Sequence, residues 1–310
     1  MPGDFSPWGT NEWDDHVQKL LKRRYMNGSY QQIPAETHGD CGLEGFSSDD
    51  ATAYQCYSAQ GWSAPKQLYE KQRGKITDDI GKFVANEVEL KKLFGGVKIK
   101  RWKLVVPCWM NKDLIKHAKI KQAFVRGANL SHVAPDFEVL IVTGEDFIIE
   151  KQELASAGLH AFDVNPGTVA DEVLTKWLAS ADNLELVDNL RRKSDLIGAS
   201  RSKKHIERFQ SRIVKNFISG SVVLDKLEKE LPETHKRVIE LKRQKEDALD
   251  TETLTHNAVP SDFFETTLHG FESQLASTPA LSPRVAKILA DEALADWLLR
   301  CPLDFEDTDA

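Results

Sequence analysis

With 310 residues, 41% hydrophobic content, 29% charged residues and a formal net charge of −7, the chain has enough apolar material for two cores and is neither fibrous nor disordered. Its acidic balance gives no bulk electrostatic signature of nucleic-acid binding. No stretch approaches about 18 consecutive apolar residues, and the opening MPGDFSPWGTNEW has neither a basic n-region nor an apolar h-region, so a cytoplasmic protein with no membrane partner is expected.

The first predicted element is a helix over 11–25 (NEWDDHVQKLLKRRY). Trp13, Val17, Leu20, Leu21 and Arg24 fall near one stripe, Asn11 suits the cap, and Glu12, Asp14 and Asp15 sit in the first turn, where acids complement the helix dipole. Strands are predicted at 30–36, 41–47 and 53–59, the last two as a hairpin. Alternation puts Asp40, Gly42 and Glu44 on one side and Cys41 and Leu43 on the other, while Gln55 and Tyr57 share a side opposite Cys56. Polar groups from two neighbouring strands should therefore converge. The structural alternative is that Gly42 and Gly45 mark a bulge or tight crossing, Asp40 caps a turn, and Gln55 and Tyr57 are ordinary half-buried strand residues.

A helical stretch over 65–94 follows, then an apolar strand at 101–109, an amphipathic helix at 111–126 and a second apolar strand at 137–143. Short apolar runs separated by helices read as parallel strands buried on both faces. Asn165-Pro166-Gly167 signals a turn, and nearly every later segment has helical periodicity, so the chain divides into an α/β domain over 1–164 and an all-helical domain over 165–310. Within the latter, Leu227, Leu231, Val238 and Leu241 keep a rough heptad. This fits a long helical hairpin, a coiled-coil arm for a partner, or a core-facing helix, with Pro232 starting a new helix. Residues 191–215 hold nine Lys/Arg against Asp195 and Glu207. Such a block suits a phosphate backbone, an acidic partner, or simply a solvated helical face. The four cysteines lack CxxC spacing and read as small buried hydrophobes in strand interiors or near the terminus. Neither G-x-x-x-x-G-K-(S/T) nor G-x-S-x-G is present.

The block Gly39-Asp40-Cys41-Gly42-Leu43-Glu44-Gly45, followed on the next strand by Gln55-Cys56-Tyr57, resembles the PD-(D/E)xK restriction-endonuclease-like superfamily, in particular its Mrr-like branch. There a helix bearing an acid precedes a Gly-Asp-x-Gly-(Ile/Leu)-(Asp/Glu)-Gly strand and a Gln-x-Lys strand. The resemblance covers about the first half of the chain, and it departs from the family where Tyr57 replaces the usual lysine.

The resemblance implies an αβββαβ core and Mg²⁺-dependent (or Mn²⁺-dependent) hydrolysis of DNA phosphodiester bonds. It makes Asp40 the central metal ligand and Gln55 a ligand or a holder of water. Glu44 and Asp14 support the site, with Glu12 the alternative to Asp14, and Tyr57 orients the nucleophile. Lys66 or Lys71, early in the next helix, would supply the missing charge. Lys66, Lys71, Arg201, Lys203, Lys204 and Arg208 are the candidate nucleic-acid contacts. The fused plan is similar to effectors of restriction or antiphage defence systems, in which the helical domain meets a partner ATPase or sensor subunit, or a second copy of the chain. The alternative from a different class is a degenerate nuclease fold that only binds DNA or a partner ATPase. A third reading has the hairpin acting on RNA or a nucleotide.

Overall fold

The computed structural model describes residues 10–34, 40–59, 64–255, 258–300 and 303–305. Contacts divide the chain into two compact units, one ending at Glu150 and the other starting at Lys151. The division thus precedes the one expected at 164/165, because Ala155, Phe162 and Val164 already belong to the core of the helical unit. None of the described helices is long and apolar enough to cross a membrane.

The first unit is mixed α/β. Helix α1 (Thr10–Arg24) leads into β1 (Tyr30–Gln32), β2 (Gly45–Ser47) and β3 (Thr52–Cys56). After these come α2 (Pro65–Ala85), α3 (Glu87–Leu93), β4 (Ile99–Val106), α4 (Asp113–Gly127) and β5 (Val133–Thr143). The strands form one sheet in the order β1-β2-β3-β4-β5. β1 to β3 are an antiparallel meander, and the β3–β4 and β4–β5 pairs are parallel, as crossover helices between them require. The helix expected over 65–94 is broken at Asn86 into α2 and α3.

One face of the sheet carries the core. Ala53 of β3, Trp102, Leu104 and Val106 of β4 and Val139 of β5 pack with Ile76, Ile80 and Phe83 of α2 and Leu114, Ala118 and Val125 of α4. Trp13, Val17, Leu20 and Leu21 of α1 are also buried, as their spacing predicts. The Trp13 indole donates to the Val105 carbonyl (3.1 Å), and the Tyr25 and Tyr54 hydroxyls meet at 2.7 Å.

The largest local departure from the period-2 reading is the segment before β2. Cys41 (φ 50°) and Gly42 (φ 84°) are left-handed, so residues 40–43 form a turn rather than a strand, closed by the Leu43 amide on the Asp40 carbonyl (3.0 Å). Cys41 is therefore not a strand residue, and Cys108 lies past the end of β4. Among the described cysteines only Cys56 is buried within a strand, and Cys301 lies outside the described residues.

The second unit is helical: α5 (Ile148–Ser156, within which the division falls), α6 (Asp171–Leu178), α7 (Leu184–Ile197), α8 (Lys203–Glu230), α9 (Pro232–Thr255), α10 (Pro260–Ala276) and α11 (Pro283–Leu299). Prolines open α9, α10 and α11, where a missing N–H costs nothing. Leu227, Leu231, Val238 and Leu241 all enter the core, so the heptad serves core packing and not a projecting arm. Most of α11 is buried, and its Glu292, 3% exposed, is matched by Lys242 of α9, whose ammonium also reaches Asp296 (2.9 Å to each).

Candidate active site

The turn before β2 presents Asp40 beside the end of β3. The Gly42 amide donates to Asp40 Oδ1 (3.1 Å), and the buried Gln55 amide donates from Nε2 both to Asp40 Oδ2 (3.1 Å) and to Asp79 Oδ2 (3.0 Å). Asp79 lies on α2 and is 1% exposed. Two lysines of the same helix complete the group. Lys82 Nζ reaches Asp40 Oδ1 and Asp79 Oδ1 at 3.3 Å each, and Lys75 Nζ reaches Asp79 Oδ2 at 2.9 Å. Spacing of four and three residues places Lys75, Asp79 and Lys82 on one helical face turned to the motif turn.

The charges act on one another. Burial alone would raise the Asp40 carboxyl, but the Gly42 amide, the Gln55 amide and the Lys82 ammonium outweigh it and hold the pKa below the usual value. Glu44 is pushed up to about 7, first by burial and then by the negative charges of Asp14, Asp40 and Asp79, with Lys75 opposing. Asp14 is raised by burial, relieved by Lys75. Asp14 and Glu44 also act together on the buried Cys56 thiol, which is raised, mainly by burial.

The predicted residues therefore separate. Asp40 and Gln55 touch, and Glu44 and Asp14 stand within electrostatic reach. Asp14 lies past the first turn of α1, whereas Glu12 lies in that turn and is exposed, so Asp14 is the acid that faces the group. Tyr57 packs against the apolar core, and among the described residues no hydrogen bond joins its hydroxyl to these acids. Lys66 and Lys71 are exposed in the first two turns of α2, ahead of the turns that face Asp40. Arg201, just before α8, and Lys203, Lys204 and Arg208, in its first two turns, belong to the helical unit. Gly39 lies outside the described residues.

Asp79, Lys75 and Lys82 were not expected. The sequence did carry a signal for Asp79: it falls on the stripe of Gln72, Ile76, Ile80 and Phe83, a carboxylate at a core-facing helical position.

The donor set suits a hard divalent cation, since it consists of carboxylate and amide oxygens. Two of those oxygens, Asp14 Oδ1 and Gln55 Oε1, are buried and have no hydrogen-bond partner, so the residues fit such an ion in kind. Among the described residues no three His, Cys, Asp or Glu side chains already stand at metal-ligating spacing.

The Glu44 shift has a consequence for stability. Its folded pKa of about 7 lies above its ordinary 4.5, so the folded state resists ionisation. Its contribution is fully present below pH 4.5 and is lost as the pH rises through 7. Such a shift amounts to about 3 kcal/mol in a dry site, and partial exposure of Glu44 reduces this to about 1–2 kcal/mol. Glu44→Gln is expected to be stabilised relative to wild type by that amount at pH 8 and by nothing at pH 4.5, as read from urea unfolding at both pH values. Equal effects at the two pH values would contradict the shift.

In comparisons with known proteins, the chain matches no family model, no curated protein and no solved structure.

Proposed function

We propose that the chain is a metal-dependent nuclease of the PD-(D/E)xK kind that hydrolyses DNA phosphodiester bonds, acting as an effector in a bacterial defence system. One observation carries the reading: Lys82 of α2 lies 3.3 Å from Asp40, so an ammonium stands beside the motif carboxylate although position 57 is tyrosine. Asp40 and Gln55, with Asp14 and Glu44 behind them, would hold Mg²⁺ or Mn²⁺, which supplies Lewis-acid polarisation of the phosphate and a more acidic water. Lys82, whose side chain is half exposed, is placed to stabilise negative charge developing on the phosphate. Asp79 positions Gln55 and both lysines through its two oxygens. Glu44 exchanges a proton near neutral pH and sits among the same charges.

A second reading is favoured by a different observation: Gln55 and Lys82 already satisfy Asp40 and Asp79 without an ion. On it, the unit is a nuclease fold retained to bind DNA or a partner ATPase. The two separate when purified protein is incubated with plasmid, linear duplex and single-stranded DNA in Mg²⁺, Mn²⁺ or EDTA. The nuclease reading expects cleavage that needs the cation. DNA binding indifferent to the cation, with no cleavage in any condition, would favour the second.

A further inference from the structure

We propose that the helical unit carries a nucleic-acid surface of its own, a cationic stripe along α8 formed by Lys204, Arg208, Arg212 and Lys215, which holds the phosphate backbone. Steps of four, four and three residues put these side chains on one face of a continuous 28-residue helix. Ile213 and Val214 point to the core instead, with Phe209 and Phe217 packed against it. Lys204, Arg208 and Arg212 are exposed, and the stripe lines an open trough of about 580 Å³.

The surrounding charges favour an external partner. Residues 201–215 hold six Lys/Arg against the single acid Glu207, in a chain whose net charge is −7. The earlier cations of the basic block are engaged internally. Arg191 pairs with Asp188 (3.2 Å), Arg192 with Asp304 (2.6 Å), and the buried Lys193 donates to the Arg300 carbonyl (3.0 Å). Lys204 and Arg208 have no ion-pair partner among the described residues. Lys215 meets Asp171 (2.8 Å), itself 87% exposed, and Arg212 acts on Asp291 from a distance. A phosphate can compete for all four.

The eleven residue steps of helix from Lys204 to Lys215 rise about 16 Å, the axial length of roughly five nucleotides of one strand. The two guanidinium forks match phosphate oxygens in bidentate geometry. The choice of nucleic acid over an acidic protein also rests on the nuclease reading above.

The test is fluorescence anisotropy of labelled duplex and single-stranded oligonucleotides with the full chain in EDTA, where no metal-dependent cleavage occurs. The variants are Lys204→Gln/Arg208→Gln/Arg212→Gln and, as a control, Lys236→Gln/Arg237→Gln, two exposed cations of α9, with circular dichroism as the check of folding. The triple variant is expected to lose at least about tenfold in affinity near 0.15 M salt, and its slope of log K against log salt should fall by about 2–3. The control should bind as wild type does. A triple variant with wild-type affinity and slope, or no binding by wild type, overturns the proposal. Displacement of the oligonucleotide by polyglutamate at equal charge concentration overturns the assignment to nucleic acid in favour of an acidic protein. Cleavage that persists without stripe-dependent binding counts against the stripe alone. Stripe-dependent binding without cleavage in any cation counts against the nuclease reading alone.

Discussion

On the proposed nuclease reading, Lys82→Met and Asp40→Asn are each expected to slow DNA cleavage by roughly a hundredfold to a thousandfold, whereas Tyr57→Phe should change it by less than about threefold. The contrast follows from placement. The Lys82 ammonium lies 3.3 Å from both Asp40 and Asp79, and these two carboxylates raise its pKa against the opposing effect of burial, so it is fully charged at neutral pH. Removing one preorganised charge at the reacting phosphate costs about 3–4 kcal/mol in comparable sites. Lys82→Met keeps the aliphatic stem of a half-exposed side chain and leaves the buried Asp79 its Lys75 and Gln55 partners, and urea unfolding of the variant separates a loss of stability from a loss of rate. Asp40→Asn keeps an oxygen for the Gly42 amide but removes the charge and the oxygen that accepts from the Gln55 amide. Tyr57 packs against the core and makes no hydrogen bond to the acids among the described residues, so deleting its hydroxyl removes no contact of the charged group. Single-turnover cleavage rates decide the matter. A large loss in Tyr57→Phe with none in Lys82→Met would return the chemistry to β3.

The hairpin was legible because it is local. β2 and β3 pair antiparallel, with Gly45 opposite Tyr54 and Ser47 opposite Thr52, and Gln55 follows on the side of β3 that faces α2. The turn at Asp40 was not, because a period-2 pattern has no place for two successive left-handed residues at Cys41 and Gly42. The helix that supplies the charge was identified but its turns were not. Lys66 and Lys71 lie nearest the hairpin in sequence, yet it is Lys75, Asp79 and Lys82 of α2 that reach the group. Asp79 shows why: its partners are Gln55, 24 residues away on β3, and two lysines that read as ordinary solvated cations until a carboxylate is seen among them. In the helical unit the basic block read as uniform, and what divides it is pairing over distance, such as Arg192 with Asp304, 112 residues later. Composition cannot register which cations are already engaged.

Gly42→Ala is expected to destabilise the first unit by about 3–4 kcal/mol, while Gly74→Ala and Gly81→Ala should each stabilise it by up to about 1 kcal/mol. A Cβ on Gly42 would run into the Asp79 carbonyl and press the Phe83 amide, both of them backbone atoms of α2 that cannot swing aside as a side chain would. The φ of 84° adds left-handed strain of about 1–2 kcal/mol. Forcing the turn away from the helix adds about 1–3 kcal/mol of overpacking. Gly74 and Gly81 lie inside α2 with open space where a Cβ would go, so alanine there only improves helix propensity. Urea midpoints at constant m give the comparison. Gly42→Ala should also slow cleavage more than its loss of stability accounts for, because the same residue fixes the site twice. Its amide holds Asp40 (3.1 Å), and its carbonyl accepts from the Trp102 indole (3.0 Å), which anchors the turn to β4. Wild-type stability in Gly42→Ala would mean that the turn does not rest on α2, and the closeness of Asp40 to Asp79 and Lys82 would fall with it.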